Sequence, residues 1–575
     1  RGHMQELSET RRRFIAHFAG IGLGTTLAPG ILWARMQDAQ SPTITLEMIT
    51  DALKLSGLDL EFTEDERKSM VDAANRDLAQ YEEIRAIHIP NDVSPPFHFN
   101  PIVPGLVVDK TKHPFTLSAP PAVKRPARLD DAAFWPVRHL AELIRTRQVT
   151  SLELTNMYLE RLHRYNGLLN YVVTFLDDYG RAEAKRADED IAAGHYKGPL
   201  HGIPWGAKDI ISVKGFKTTW GSPAFKDWIA PADAVAVARL KAAGAVILGK
   251  TNVPPFLSDW QSVNPVYGRT NHPLDPARTP GGSSGGSAAA LASGMVPLEF
   301  GSDIGGSIRV PAGFCGVFGH KPSYELIPQR GHAPPGVDGA VVLGVVGPMA
   351  RDAADLALAL EVLAGPDDLE ASGYRVALPA PRHAALADYR VLMIESHPLA
   401  AVDSEVRAAL DETARRLEGA GGKVARSSEL LPDLAASHQL YVSMLMTALS
   451  RGGPPAPNLM SAHDWMSALD MQQVFRRRWA ALFEAFDVVL APTLGVVAFE
   501  HMTGEWGERS FTIDGAVTPF ADQLAWPGMA TLANLPATAM PIGATRRGLP
   551  IGMQIIGPYL EDRTTIAFAG QLAKL

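Results

Sequence analysis

The sequence has few of the residues on which several common protein classes depend. Cysteine occurs once, at Cys315, among 575 residues, so no disulfide can form within the chain and a metal site built from several cysteines is excluded. Lysine and arginine number 54 against 62 acidic residues, and the net charge of −8 disfavours a nucleic-acid-binding protein. Charged residues make up 20% and hydrophobic residues 46% of the chain, a composition that is typical of a globular protein.

A long, uninterrupted apolar segment is also absent near the N-terminus. Residues 14–34 are apolar but contain His17, Pro29 and several glycines, which makes them marginal as a membrane span of about 20 residues. Arg11–Arg13 precede them in "TRRRFIA", which resembles a twin-arginine export signal. We interpret residues 1–40 as a remnant of an expression tag, "RGHM", followed by this leader. We therefore expect a periplasmic or secreted protein without stable membrane insertion of the mature chain, or a cytoplasmic one if the leader does not function.

Residues 41–128 are predicted to form an N-terminal arm that is helical at first and rich in proline later. Thr63 and Glu66 have the spacing of a capping box, in which each side chain satisfies a backbone N–H group at the start of a helix. Proline is frequent in residues 88–126, which favours an extended chain.

From residue 129 to the end, strand-like and helix-like segments alternate. "YVVTFL", "AVILG" and "YRVLMI" are typical of short buried strands, and amphipathic segments such as "SEVRAALDETARRLEG" lie between strands. This alternation predicts an α/β fold, with one large domain built on a mixed, mainly parallel twisted sheet that helices cover.

Two short patterns in this region match known motifs but have the wrong surroundings. "GAVILGKT", residues 244–251, matches a phosphate-binding loop, yet its four middle residues are apolar and favour a strand, so we interpret Gly244 as a helix-to-strand turn. Ser283 and Ser284 fit the G-x-S-x-G pattern of a serine hydrolase, but a proline-rich segment precedes them instead of an apolar strand. A Ser-His-Asp esterase stays open as an alternative. Its base would be one of the late histidines, His438, His463 or His501.

A lysine at the end of an apolar strand gives the serine-rich segments a third interpretation. Lys208 ends "GIPWGAK", and burial at that position would lower the pKa of its ammonium group until the neutral amine can act as a general base. Serine becomes a nucleophile when such a base takes its proton. Ser283 and Ser307 stand in two glycine-rich clusters and would supply a nucleophile and a hydroxyl that relays the proton.

Taken in order, these segments resemble the amidase signature family. "PLHGIPWGAKD" and "AAGAVILGKTN" are followed by "NHPLDPARTPGGSSGG" and "GSDIGGSIRVPAGFCGVFGHKPS", and later by "FDVVLAPT", "NLPATAMPIG" and "GLPIGMQIIGP". The resemblance runs from residue 129 to the end of the chain. It departs from the family at Pro255–Phe256, where a Glu-Phe pair is frequent, and in the serines of "GSD" and "KPS", where threonine is usual.

The resemblance implies a Ser–cis-Ser–Lys triad. Lys208 matches the base, Ser307 the nucleophile, and Ser283 the bridging serine that follows a cis peptide bond from Gly282. The implied oxyanion hole consists of the backbone N–H groups of Ile304, Gly305, Gly306 and Ser307. The polar positions that we expect to support these loops are Ser284, Asp303 and Arg309.

The implied activity is hydrolysis of a small-molecule amide through an acyl-enzyme, without a metal or an organic cofactor. Carbamates and esters are additional substrates of some members. The glutamine-hydrolysing component of an amidotransferase, acting on a tRNA-bound substrate, shares these motifs and is the alternative, although the leader and the arm argue against it. A homodimer stays open. Candidate pocket residues are Trp205, Phe256, Trp260, Met444 and Met446, together with the arm.

Overall fold

Structure is described for residues 43–55, 57, 62–88, 122–337, 339–451 and 459–575, in a computed structural model. The chain divides into two units, residues 1–109 and residues 110–575. The export-type leader, most of the proline-rich segment and the loop at residues 452–458 lie outside the described residues.

The first unit contains two helices in its described part, α1 (Leu46–Leu55) and α2 (Glu64–Ala86). The predicted capping box is present, since the Thr63 side chain accepts a hydrogen bond from the Glu66 N–H group and the Glu66 side chain accepts one from Thr63. The N–H group of Ile44 donates to Asn75 Oδ1 at 2.7 Å, which links the start of the described chain to α2. The extent of the arm, residues 41–128, stays a prediction.

The second unit is built on an 11-stranded sheet, with two short hairpins beside it. The strands are β1 (Val172–Phe175), β2 (Pro204–Lys208), β3 (Val246–Thr251), β4 (Val263–Asn264), β5 (Gly268–Arg269), β6 (Leu298–Asp303), β7 (Phe318–Lys321), β8 (Val345–Ala350), β9 (Arg390–Met393), β10 (Lys423–Ala425), β11 (Val488–Pro492), β12 (Ser510–Ile513), β13 (Ala516–Pro519), β14 (Ala537–Ala544) and β15 (Pro550–Ile556). Their order in the large sheet is β1-β3-β2-β6-β8-β7-β14-β15-β11-β9-β10, while β4 pairs with β5 and β12 with β13.

The large sheet is mixed, as predicted, and its parallel pairs lie near its two ends. Among the described residues, four of its ten neighbouring pairs are parallel, in β3-β2-β6 and in β11-β9-β10. Parallel neighbours need a long crossover, which α6 provides between β2 and β3 and α10 between β9 and β10 (both helices are given below). The centre is antiparallel because chain neighbours such as β14 and β15 join by a short turn, residues 545–549.

Helices cover the sheet. They are α3 (Val137–Arg145), α4 (Ser151–Leu169), α5 (Asp177–Ala192), α6 (Val235–Ala242), α7 (Gly285–Ala292), α8 (Arg309–Cys315), α9 (Ala353–Leu363), α10 (Ser404–Gly419), α11 (Leu434–Leu449), α12 (Ala462–Ala485), α13 (Ala525–Leu532) and α14 (Asp562–Leu572). No helix in the described ranges combines the length and the hydropathy needed to cross a bilayer. Nor do three or more His, Cys, Asp or Glu side chains in those ranges cluster as metal ligands would.

The apparent phosphate-binding loop is a turn followed by a strand, as predicted. Gly244 has a φ of +83°, a left-handed conformation that favours glycine, and β3 begins two residues later. Lys250, the lysine of the pattern, is buried within β3 and forms an ion pair with Asp209 at 2.9 Å. It is therefore a structural residue of the sheet.

Candidate active site

Lys208 is the last residue of β2, and its amine lies inside the protein. β2 is parallel to β3 on one side and to β6 on the other, and all five of its residues are buried. The Lys208 Nζ atom lies 2.6 Å from Ser283 Oγ and 2.9 Å from Ser302 Oγ. Burial lowers the pKa of Lys208 well below its ordinary value, and the attraction of Asp303 opposes this effect only partly. This environment favours the neutral amine, the form that can accept a proton.

Ser283 follows a cis peptide bond from Gly282, in the loop that leads into α7. A side chain at position 282 has no room, because a Cβ atom there would lie 2.5 Å from the carbonyl oxygen of Asp259. Ser283 is fully buried, and its hydroxyl contacts the amine of Lys208, 75 residues away in the chain. The structure thus brings the predicted base and the predicted bridging serine into direct contact.

Ser307 lies in the second glycine-rich cluster, between β6 and α8. Gly306 before it has a φ of +89°, and a Cβ atom there would lie 2.8 Å from the Val310 side chain. The carbonyl oxygen of Ser307 accepts a hydrogen bond of 3.1 Å from the Ser284 N–H group, which ties the two clusters together. Among the described residues no side chain or backbone group bonds the Ser307 hydroxyl, and Ser307 lines the same cavity as Ser283.

The four predicted oxyanion donors differ in their availability. The Gly306 N–H group donates to Asp303 Oδ1 at 3.0 Å and is therefore already engaged. Tyr441 donates to the carbonyl oxygen of Ile304 at 2.8 Å, which turns the N–H group of the next residue in the opposite direction, because C=O and N–H are antiparallel in a trans peptide. The N–H groups without a partner in the described part of the chain are those of Ile304, Gly305 and Ser307.

Asp303 and Arg309 form a buried ion pair beneath this loop. Arg309 donates to both carboxylate oxygens of Asp303, at 2.8 and 3.0 Å. Burial opposes ionisation of Asp303, but the positive charge of Arg309 outweighs it and lowers the pKa of Asp303 to about 2. Arg309 also donates to the carbonyl oxygen of Pro527, to Thr531 Oγ1 and to Gln554 Oε1. The pair therefore links the Ser307 loop to α13 and β15.

A cavity of about 650 Å³ opens beside Ser283 and Ser307. Its walls are mostly apolar, and Arg451 also lines it. Large side chains on the walls are those of Trp220, Phe225, Phe256, Leu257, Val342 and Leu449. Among the pocket residues suggested by the sequence, the cavity is lined by Phe256 alone in the described part of the chain.

The other suggested pocket residues have different surroundings. Trp205 is fully buried in β2, and Met444 is packed in the apolar core around Tyr441. The Trp260 indole donates to the carbonyl oxygen of Gly305 at 2.9 Å and so supports the oxyanion loop from behind. Met446 is half exposed and lies outside the cavity lining. These predictions were wrong because residue type alone does not reveal which way a side chain on a strand or a helix points.

Two polar residues of the site were missed by the sequence reasoning. The Ser302 hydroxyl contacts Lys208, and Ser302 precedes Asp303 within "GSD", where its only signal was the departure from the family's usual threonine. His332 lines the cavity, from the long connection between β7 and β8. "QRGHAPPG" carries no motif that would single out this histidine.

The Ser-His-Asp alternative does not match the geometry. The basic group at Ser283 is the amine of Lys208, and His438, His463 and His501 are absent from the described lining of the cavity. Residues 270–282, just before Ser283, contain no strand. A nucleophile elbow requires one at that position.

Comparison with known proteins decides the family. A family model described as Amidase matches residues 153–453 and 454–566, which is most of the chain. The chain belongs to the amidase family. A glutamyl-tRNA(Gln) amidotransferase subunit from Synechococcus sp. (strain CC9605) is 33% identical to this amidase over 472 residues, covering 74% of this chain and 94% of the relative. The protein of the same name from Methylococcus capsulatus (strain ATCC 33009 / NCIMB 11132 / Bath) is 33% identical over 480 residues, with the same coverage.

Solved structures have the same fold as this amidase. One belongs to a vestigial protein complex said to reveal the evolutionary origins of an s-triazine catabolic enzyme; its TM-score is 0.67 at 28% identity, over 76% of this chain and 98% of its own. A bacterial aryl acylamidase of the amidase signature family also has a TM-score of 0.67, at 24% identity, over 77% of this chain and 96% of its own, and this likeness concerns the fold alone. The predicted family and the predicted α/β fold are confirmed.

Proposed function

We propose that this amidase hydrolyses a carboxylic amide through an acyl-enzyme on Ser307. The observation that carries the proposal is the buried contact of 2.6 Å between Lys208 Nζ and Ser283 Oγ, beside a cavity that Ser307 also lines. A lysine kept neutral by burial is a suitable general base near neutral pH. Serine in turn needs such a base to become nucleophilic.

The proposed reaction begins with two proton transfers. Neutral Lys208 accepts the proton of the Ser283 hydroxyl, which accepts the proton of Ser307 as its oxygen bonds the substrate carbonyl carbon. The free N–H groups in residues 304–307 stabilise the negative charge on the carbonyl oxygen. The proton then passes through Ser283 to the leaving nitrogen, and the C–N bond breaks. Water hydrolyses the resulting ester by the same relay and restores the free enzyme.

The cavity supports apolar amides as the substrate class. Aromatic and aliphatic side chains, including Trp220, Phe225 and Phe256, form most of its walls and would bind an aryl or alkyl group by burial of apolar surface. Carbamates and esters present the same carbonyl group, so we propose them as additional substrates.

A panel of chromogenic anilides, alkyl amides, carbamates and esters tests this function. Wild-type protein is expected to hydrolyse at least one amide, and Ser307→Ala and Lys208→Ala are each expected to lose a factor on the order of 10²–10⁴ in kcat. Ser258→Ala is the matched control, because Ser258 lines the same cavity while its hydroxyl donates to the Pro255 carbonyl group. Mass spectrometry of the intact protein should detect an acyl adduct on Ser307. Full activity of Ser307→Ala would contradict the assignment of the nucleophile.

The glutamine-hydrolysing part of a tRNA-dependent amidotransferase is the second candidate function. The relatives named above carry that name, and this chain matches 94% of their length. This function predicts glutamine hydrolysis that depends on partner proteins and a tRNA-bound substrate. Hydrolysis of simple amides by the isolated chain, without a response to added partners, favours the first candidate.

We also propose export of this amidase through its arginine-containing leader. Arg11–Arg13 precede an apolar segment, which is the order that a twin-arginine signal requires. Cell fractionation should find the protein outside the cytoplasm, and Arg12→Lys together with Arg13→Lys should retain it there. Light scattering on the purified protein would decide between a monomer and the proposed homodimer.

A further inference from the structure

His332 is a polar group of the cavity that the reaction described above does not use. It lies in the connection between β7 and β8, it is 7% exposed, and it lines the cavity together with Ser283, Ser302 and Ser307. Its pKa is lowered to about 4, mainly by burial and further by the nearby charge of Lys208. The ring is therefore neutral, with one nitrogen that carries a proton and one that does not.

The hydrogen bond of the ring identifies the unprotonated nitrogen. His332 Nδ1 lies 3.2 Å from the carbonyl oxygen of Gln329, which can only accept. Nδ1 therefore carries the proton, and Nε2 is the acceptor. Within the described chain no protein group bonds Nε2, and this atom is not among the buried polar atoms that lack a partner. Nε2 is thus the accessible end of a largely buried ring, and the space that reaches it is the cavity.

The turn that carries His332 is held on both sides. The Gln329 side chain donates to the carbonyl oxygen of Gly344 at 2.7 Å, and the His332 N–H group donates to that of Gln329 at 3.1 Å. The carbonyl oxygen of Gly331 accepts from the Ser212 N–H group at 2.9 Å. Gly331 also has a φ of +87° and no room for a side chain, because a Cβ atom would lie 2.5 Å from the Cα atom of Ala234. The ring position is therefore fixed before any ligand binds.

The cavity offers few other acceptors to a substrate. The Asp303 carboxylate is paired with Arg309, and the Ser302 hydroxyl contacts Lys208. The Ser283 and Ser307 hydroxyls are used for proton transfer in the proposed reaction. An amide with a hydrogen on its nitrogen would leave that N–H group unsatisfied among apolar walls, which is costly.

We propose that Nε2 of His332 accepts a hydrogen bond from the N–H group of the scissile amide and so gives this enzyme a preference for N–H amides over esters and over fully substituted amides. The inference rests on the proposed function and specifies its substrate class. The bond would also orient the leaving nitrogen, because an N–H group held by His332 turns the nitrogen lone pair toward another direction, where Ser283 can protonate it. His332 is a substrate-binding residue in this account.

Three substrates with one acyl group test the proposal: an anilide, its N-methyl anilide and the corresponding aryl ester. For the wild type, kcat/KM should fall when the N–H group is methylated. In His332→Leu the ratio of kcat/KM for the anilide to that for the ester should fall about fivefold to tenfold, the effect of one net hydrogen bond in a buried site. His332→Gln, whose side chain offers an oxygen acceptor, should recover part of that ratio. Equal losses on anilide and ester, or an unchanged ratio, would overturn the proposal.

Binding to Ser307→Ala separates this inference from the proposed function. Calorimetry with the anilide and the ester needs no turnover, so it measures the N–H contact even if Ser307 is not the nucleophile. Anilide affinity should exceed N-methyl anilide affinity on Ser307→Ala, and the difference should disappear when His332→Leu is added. A difference that persists without the histidine would contradict the proposal, whatever the hydrolysis assays show about the reaction.

Discussion

Replacing Arg309 by methionine tests how strongly the buried ion pair supports the Ser307 loop. Asp303 and Arg309 are both inaccessible to solvent, and the variant leaves a carboxylate in the interior without its guanidinium partner. Breaking a buried pair in this way costs about 3–5 kcal/mol of unfolding free energy. Asp303 keeps backbone N–H donors from residues 306, 308 and 309, so we expect a loss near the lower bound, about 3 kcal/mol.

The pKa of Asp303 determines how this loss depends on pH. In the folded wild type the pKa is about 2, below the ordinary value of 3.8, so the carboxylate contributes stability above about pH 4 that is lost as the pH falls toward 2. Without Arg309, burial alone raises the pKa of Asp303, and the folded variant takes up a proton at a higher pH than the wild type. The difference in stability is therefore largest near neutral pH and shrinks toward about pH 4.

Urea unfolding at about pH 7 and about pH 4.5, followed by tryptophan fluorescence, measures both differences. Arg415→Met is the control, because Arg415 forms an ion pair of 2.7 Å with Glu412 whose side chains are 67% and 56% exposed. Such surface pairs contribute about 0–1 kcal/mol. Adding Asp303→Asn to Arg309→Met should recover part of the loss, since no buried charge remains. Equal urea midpoints for Arg309→Met and Arg415→Met would refute the reasoning.

Three further predictions concern β2 and its neighbour β6. Activity of the wild type should fall as the pH drops, because protonated Lys208 cannot accept a proton; steady-state kinetics of Lys208→Met should lack this acid limb and show a kcat lower by about 10²–10⁴, and an unchanged limb would point to another base. Burial raises the pKa of Glu299 to about 8, above its ordinary 4.5, so the wild type loses stability as the pH rises between these values; Glu299→Gln should gain stability relative to the wild type from about pH 5 to pH 8 in thermal unfolding, and a constant difference would contradict the buried, protonated state. A Cβ atom at Gly206 would overlap the Glu299 carboxyl group, so Gly206→Ala should destabilise the protein by about 1–3 kcal/mol and lower activity, whereas Gly419→Ala, with open space around it, should do neither.

The sequence predicts the residues of the site better than their contacts. Lys208, Ser283 and Ser307 stand in long, ordered segments, and the lysine and the first serine meet as expected. The contact with Ser302 depends on the register between β2 and β6, where Gly206 lies opposite Glu299. Strand register between segments almost 100 residues apart is fixed by the whole sheet, so no local pattern could reveal it.

The antiparallel centre of the sheet also escaped prediction, for a local reason. β14 and β15 form a hairpin, but the turn between them, "TRRGL", has neither Asn-Gly nor Asp-Gly, the strongest short signal for a hairpin. His332 escaped because its role depends on the fold of a long connection between β7 and β8. The parallel ends, by contrast, follow from strand–helix–strand alternation that the sequence displays directly.

The reach of Arg309 has a consequence for the chain as it is being made. A nascent chain that has reached residue 451 already contains the lysine and both serines, yet the arginine still lacks the partners that Pro527, Thr531 and Gln554 provide. Its guanidinium group gains them only when translation has passed residue 554. Unfinished polypeptides on the ribosome would therefore carry every reactive group of the enzyme and remain without its activity.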